Sequence, residues 1–362
     1  MSAPSLDQRL EEWDAEHAGE SRRRVLATPA SMYKPRPVRW LWEGRLALGT
    51  IGLCAGREGT GKSTQAYWLA ARVTRGDLPG DMHGKPRAVL VCATEDSWEH
   101  TIVPRLMAAG ADLDKVFAID VVNEIDVHVG LNVFRDLLAL RDRALELGAG
   151  LLILDPIISR LGDLDTHRDS EVRQALEPLA RLADEVGMSV YGLIHHNKGG
   201  SGDPLQAVMG SKAFTAVARS VHTVVPDPDD ENRRLFGTPK NNLGRDNLPT
   251  LVFTVETHII PTPEGDAYTG KLVWQGEHDG TIRDAMRQAH DAERDPTAAD
   301  EAAGWLEDFL TLNGRTESAK VKTAAQKAGH TDRAIRTARQ KLKVKTPSEG
   351  FPRITYWELP QS

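Results

Sequence analysis

Eight residues carry the most specific chemistry in this 362-residue chain: Gly56, Arg57, Glu58, Gly59, Thr60, Gly61, Lys62 and Ser63. They match G-x-x-x-x-G-K-[ST] at every fixed position, and Thr64 follows at the start of a helical pattern. Glycines at these spacings let successive backbone N–H groups curl round a phosphate, and a helix beginning there adds its partial positive charge. Lys62 then reaches the outer phosphates and the Ser63 hydroxyl can ligate a divalent cation. A chance glycine-rich turn would lack flanking structure. Here a strand-like run, 50–55, precedes the motif, so the expected ligands are ATP and Mg2+.

A second apolar run, Leu151-Leu-Ile-Leu, ends in Asp155, a carboxylate suited to holding that Mg2+. Pro156, not an acid, comes next, so the base that activates water must come from elsewhere. Glu95, after the run 88–94, is the candidate, provided that this run neighbours the 50–55 run. Asp96 is its rival, and Asp96 or Ser97 is expected to cap the following helix. His195, His196 and Asn197 end a further apolar run and would sense the γ-phosphate, with His196 taken as the catalytic member. Arg219 and Lys240, with Arg245 behind them, are late cations that could act on a phosphate from a neighbouring subunit. The loop 159–169 is rich in oxygens but has no recognised metal-ligand spacing.

These groups need a scaffold. Short apolar runs at 50–55, 88–94, 116–121, 151–155 and 188–194 alternate with helical patterns near 62–75, 97–110, 131–148 and 170–186. Such alternation predicts an α/β fold with a mainly parallel central sheet covered on both faces. From residue 221 onward the pattern changes to strands (221–225, 233–239, 250–257, 271–275), which predicts an antiparallel extension. The domain reading is an extension over 1–44, an ATPase domain over 45–275, a polar linker over 276–298 and a small domain over 299–362. Trp40-Leu-Trp42 would pack on the edge of the ATPase domain.

Charge divides the chain in the same place. From Gly314 to the end there are 11 lysines and arginines against four acids, so this end carries +7 while the rest carries −14 of the net −7. That excludes a uniformly basic nucleic-acid coat and makes DNA a candidate partner of the tail. No apolar run approaches the ~18 residues of a membrane span, and the start lacks a signal-peptide core, so a cytoplasmic protein without a membrane partner is expected. The two cysteines, Cys54 and Cys92, lie in apolar runs and read as small buried hydrophobes.

The tail reads as a helix-turn-helix of winged type, with helices near 299–312, 317–328 and 331–342, Thr331 as an N-cap, a hairpin over 351–359 and the wing formed by 351–357. Arg333, Arg336, Arg339 and Lys343 recur at helical spacing and form one basic stripe suited to duplex DNA or, in a protein-binding variant, to a solvated face.

Residues 40–275 resemble the RecA-fold AAA-family ATPases of the RepA-like branch, near the DnaB-type hexameric replicative helicases, in their actinobacterial and phage forms. The segments that carry the likeness are Trp40-Leu-Trp42, the 56–63 motif, Ala93-Thr-Glu95-Asp96-Ser97, 151–156 and Ile194-His-His-Asn-Lys198. Gly210-Ser-Lys-Ala-Phe214, Ala218-Arg219 and Lys240-Asn-Asn-Leu-Gly244 complete it. The resemblance implies a homo-oligomeric, commonly hexameric, ring with ATP between subunits, Glu95 as base and Arg219 or Lys240 acting in trans. It also implies that loops near 159–169 and 197–211 face single-stranded DNA, with Lys198 among the contacts, and that replication proteins are possible partners. Those loops offer only Arg160, Arg168, Lys198 and Lys212 as cations and no aromatic residue. The expectation is a helicase-type DNA motor. The alternatives are a RecA-fold ATPase of recombination or repair that does not unwind, and an ATP-switched DNA-binding regulator.

Overall fold

A computed structural model describes residues 26–122, 128–162, 164–197, 201–294, 296–349 and 354–360. The chain divides into two units, Met1–Pro37 and Val38–Ser362. The first contains a short 3-10 turn, Ala30–Met32.

The second unit is organised by strands whose residues are almost all buried: β3 (Ile51–Gly56), β4 (Ala88–Ala93), β8 (Ala149–Asp155) and β9 (Ser189–His195). A strand apolar on both faces must be covered on both, and alternate residues go to opposite layers. Leu53, Ala55, Leu90, Leu152 and Ile194 face one cluster, under helices α3 (Leu137–Leu147), α4 (Asp169–Val186) and α5 (Lys212–Val217). Cys54, Val91, Ile153 and Leu193 face the other, under α1 (Lys62–Arg75) and α2 (Val103–Ala109). The amphipathic helix α4 shows the matching pattern: Val172, Ala175, Leu176, Leu179 and Ala183 recur at helical spacing and are buried.

Among the described residues nine strands form the central sheet, in the order β13-β12-β11-β10-β3-β9-β8-β4-β5. The strands from β10 (Ser220–Asp227) through β5 (Val116–Ala118) are parallel, while β11 (Asp230–Asn241), β12 (Thr250–Thr262) and β13 (Gly265–His278) add on antiparallel. This is the α/β architecture of a RecA-like P-loop NTPase with an antiparallel extension. Short pairs, β1 (Trp40–Trp42) with β2 (Leu46–Ala47) and β6 (Val121–Val122) with β7 (His128–Val129), lie outside it. Trp42 enters the core, stacking on Phe236 and meeting Trp68 and Trp274 at centroid distances of 5.4–6.3 Å. Among the described residues no helix is long and apolar enough to cross a membrane.

Several sequence expectations change. β4 does not neighbour β3: β9 and β8 lie between them, and β4 pairs with β8. The expected helix 97–110 is a wide turn at Trp98–Ile102 followed by the seven-residue α2, and the expected helix 131–148 begins only at Leu137. The polar stretch 276–298, expected as a linker, carries the end of β13 and helix α6 (Ile282–Arg294). Ile282 and Ala285 explain that helix, since they pack on Leu235 and Val252 of the sheet.

The C-terminal part has α7 (Pro296–Asn313), α8 (Ser318–Lys327) and α9 (Asp332–Lys341) with a small antiparallel sheet ordered β14 (Thr316–Glu317), β16 (Ile354–Trp357), β15 (Ser348–Glu349). Its own core holds Leu306, Leu310, Val321, Ile335, Ala338 and Trp357. The Thr331 side chain accepts the Ala334 N–H and caps α9 as expected.

Candidate functional site

β3 runs into the loop at Gly56 and the chain re-emerges as α1 at Lys62. Gly61, at φ +93°, is the N-cap, a left-handed conformation that a β-carbon would strain. Having no side chain, it also leaves the first-turn N–H groups of α1 to whatever anion approaches. At Gly56 a β-carbon would sit 2.6 Å from the Val224 carbonyl oxygen, so only glycine lets the loop leave β3 beside β10. Arg57, Glu58 and Gly59 form the exposed crest, and Thr60 is buried, donating to the Arg57 carbonyl at 2.8 Å.

Lys62 lies back along this loop, donating to the carbonyls of Gly56 and Arg57, both at 2.9 Å. Burial lowers its pKa, and the negative charges of Asp155, Glu58 and Glu95 work against that. Ser63 Oγ donates to Asp155 Oδ2 at 2.7 Å. Burial raises the Asp155 carboxyl, and Glu95 and Asp96 raise it further, while the Ser63 hydrogen bond opposes them. A half-buried carboxylate beside a hydroxyl, with two further acids raising its pKa, is a site that a divalent cation would relieve, so the donor set fits Mg2+. The Asp155–Pro156 peptide is cis.

Glu95 reaches the same neighbourhood by a different route from the one expected. Because β4 pairs with β8, register places Ala93 opposite Asp155, and the Thr94 N–H donates to the Asp155 carbonyl. Glu95 is exposed just beyond, and both Lys62 and Asp155 feel its charge. Asp96 is held by Arg105 at 2.9 Å, and the Ser97 side chain accepts the His100 N–H to cap the next turn.

The histidine pair divides by strand alternation. His195, in register with Gly56, has Nδ1 3.4 Å from Lys62 Nζ. His196, taken from the sequence as the catalytic member, is only 9% exposed and lines the cavity beside Arg57 and Thr60, and its Nε2 has no hydrogen-bond partner among the described residues. Burial, then the charges of Lys62 and Arg57, push its pKa down to about 4. The residue beside the lysine is therefore His195. Successive strand side chains point to opposite faces, so only one of the two can stand there.

Arg219 and Lys240 lie at the other end of the sheet. The Arg219 N–H donates to Ile51, five residues before Gly56, and Lys240 pairs with Val221. At about 3.3 Å per residue Arg219 is roughly 16 Å from its own loop. Arg219 is exposed, whereas the Lys240 ammonium donates to the carbonyls of Thr215, Ala216 and Ala218, closing the end of α5. Burial, then the charge of Arg219, lowers its pKa.

Two residues of the expected basic stripe, Arg336 and Arg339, do not face outward, while Lys343 is exposed just past α9. Arg336 Nε lies 3.3 Å from Asp229 Oδ1, at the turn between β10 and β11, and its Nη1 donates to Gln288 Oε1 at 2.6 Å. Arg339, 5% exposed, donates to the carbonyls of Asp229 and Pro228. Lys322 Nζ stands 3.7 Å from Asp229 Oδ1. Burial alone would raise the Asp229 carboxyl, but Arg336, Lys322 and Arg339 together hold it below the ordinary carboxylate range. The Arg336 and Arg339 expected on DNA are thus engaged with the ATPase body. The side chain of Arg333, and Lys198 altogether, lie outside the described residues. In the expected channel loops, Arg160 is buried and donates to Thr94 Oγ1 at 3.2 Å, while Arg168 pairs with Glu171 at 3.0 Å. The two loops are joined to each other, the Ser211 N–H donating to the Thr166 carbonyl and its hydroxyl to Asp169.

The loop, the half-buried acid at the end of β8 and the parallel sheet that carries both form the nucleotide-binding end of a P-loop ATPase. A family model described as an AAA domain matches residues 9–201, more than half of the chain, and so spans every group around the phosphate loop except those on β10 and beyond. No curated protein matches the chain. On that match and this geometry, the chain belongs to the AAA domain family of P-loop ATPases.

Proposed function

We propose that the protein hydrolyses ATP with Mg2+ and works as a RepA-like, homo-oligomeric ring ATPase on DNA. The observation that carries the hydrolytic part is the Ser63–Asp155 hydrogen bond beside the buried Lys62. In this reading the loop amides and Lys62 hold the phosphates, Ser63 and Asp155 hold the cation, and His195 stands next to the lysine. Mg2+ held by Ser63 and Asp155 would neutralise part of the phosphate charge. Glu95, exposed at the end of the neighbouring strand, accepts the proton of the attacking water. Arg219, with Arg245 behind it and exposed like it, is offered to the phosphate of an adjacent subunit.

The DNA half of the proposal is supported by the +7 stretch from Gly314 onward, whose helices α8 and α9, with the acidic α7 before them and the small sheet, suit a winged helix. The docking of Arg336 and Arg339 on Asp229 favours a second reading, a regulator whose DNA-binding part is seated on the ATPase body and released by its nucleotide state. Hydrolysis by the full chain, with and without single-stranded DNA, together with unwinding of a forked duplex, separates the readings. Stimulated hydrolysis with unwinding supports the helicase-type motor, and stimulation without unwinding supports a remodelling ATPase of the repair kind. Duplex binding that changes with nucleotide, without stimulation, supports the regulator. A chain that hydrolyses no ATP under any condition overturns all three.

A further inference from the structure

A triphosphate seated in residues 56–64 must place its nucleoside somewhere beside that loop. Nucleobases are flat and aromatic with a polar edge, and the pockets that take such groups are apolar clefts of about 300–1,000 Å3 with a few placed polar side chains. A cavity of about 360 Å3 adjoins the loop at Arg57 and Thr60. Its apolar wall comes from Val224 and Pro226 at the end of β10 and from Ala285, Met286 and Ala289 on α6. Polar side chains that line it include Thr337 and Gln340 on α9, Gln288 on α6, and His196 and Asn197 after β9. A larger and more polar cavity of about 960 Å3, off β11 and β12, touches no residue of the loop.

We propose that this cavity is the nucleobase pocket, so that helices α6 and α9, beyond the stretch matched by the AAA domain model, recognise the nucleotide whose phosphates the AAA domain holds. The inference rests on the nucleoside-triphosphate reading of residues 56–64. Met286 brings a polarizable thioether to an aromatic ring, and Gln340 presents both a donor and an acceptor to a base edge. Because α9 stays in place through Arg336 on Asp229 and Arg339 on the Pro228 carbonyl, the pocket is complete only while the C-terminal part is seated. Base binding and seating therefore stabilise each other reciprocally.

The test uses the full chain and two ligands, ATP and inorganic tripolyphosphate, both with Mg2+. Ala289 is exposed at the cavity rim, so Ala289→Trp fills the space without entering the core. We expect it to weaken ATP binding roughly tenfold while tripolyphosphate binding changes by no more than about twofold. Equal weakening of both ligands, or of neither, overturns the pocket. A wild-type chain that binds neither ligand overturns the phosphate-loop reading itself and the pocket with it. Photolabelling of the wild type with 8-azido-ATP, mapped by mass spectrometry, gives an answer independent of the variant. Adducts within 224–228, 282–294 or 332–341 support the assignment, and adducts only elsewhere overturn it.

Discussion

The Ser63 hydroxyl donates a 2.7 Å hydrogen bond to the Asp155 carboxylate. It joins the first turn of α1 to the end of β8 across the intervening strand β9, so the phosphate loop and the acid strand are held as one rigid edge. Beside it the Lys62 ammonium is buried among carbonyls. A group held this way meets a ligand with little reorganisation, the condition under which electrostatic stabilisation is most effective.

Lys62→Ala removes that ammonium and leaves the glycine path of the loop intact. Hydrolysis should fall by roughly 10²–10³-fold, as on losing one preorganised donor, with nucleotide affinity falling as well. Phosphate release and calorimetric titration measure the two. Wild-type turnover in this variant would remove the loop from the mechanism.

Glu95 and Asp96 are neighbours with different surroundings, and paired variants tell them apart. Glu95→Gln should bind ATP and slow hydrolysis by about 10²–10⁴-fold, the range for loss of a general base. Asp96→Asn gives up an ion pair with Arg105 whose side chains are 32% and 29% exposed, so it should cost under about 1 kcal/mol and leave turnover near wild type. A stalled Asp96→Asn alongside an active Glu95→Gln would assign the base to Asp96.

Asp229→Lys places a like charge against Arg336, Arg339 and Lys322. The C-terminal part should lose its seat, seen as faster amide exchange over 332–341 and over the turn 226–230. Duplex DNA binding, followed by anisotropy at fixed salt, should tighten as the stripe is freed, with a steeper salt dependence. Unchanged exchange would mean that α9 is held by its apolar contacts alone.

The buried His196 makes stability depend on pH. Its folded pKa of about 4 lies below the ordinary 6.5, so between these values the unfolded chain binds the additional proton. Its effect is absent above pH 6.5, and stability falls as pH drops from there towards 4, by about 3 kcal/mol for this group. Buried His222, pushed down to about 3, adds a slope of the same sign. His196→Gln should therefore flatten, without abolishing, the fall in urea midpoint between pH 6.5 and 4. An identical slope in the variant would show that His196 titrates normally in the folded chain.

Much of the site was legible in the residue order. The loop motif, the strand-end acid at 155 and the strand runs all depend on short-range pattern, and the structure places each where the pattern put it. Thr331 and Ser97 as caps were legible for the same reason, since a cap bonds within its own first turn. His195 was separable from His196 only once the register of β9 against β3 was known. Helix α6 was hidden in a polar stretch, because only a narrow stripe around Ile282 and Ala285 is apolar.

Chain order alone established a P-loop, a mainly parallel α/β sheet and a basic C-terminal end, because each is encoded by neighbours a few residues apart. The tertiary structure decided that β8 rather than β3 lies beside β4, which brings Glu95 to Asp155. It also decided that Lys240 closes a helix and that Arg336 and Arg339 grip the β10–β11 turn. Arg336 and Asp229 are 107 residues apart. A charge can choose between solvent, a ligand and its own chain only when all three are in reach, and that choice is settled by packing.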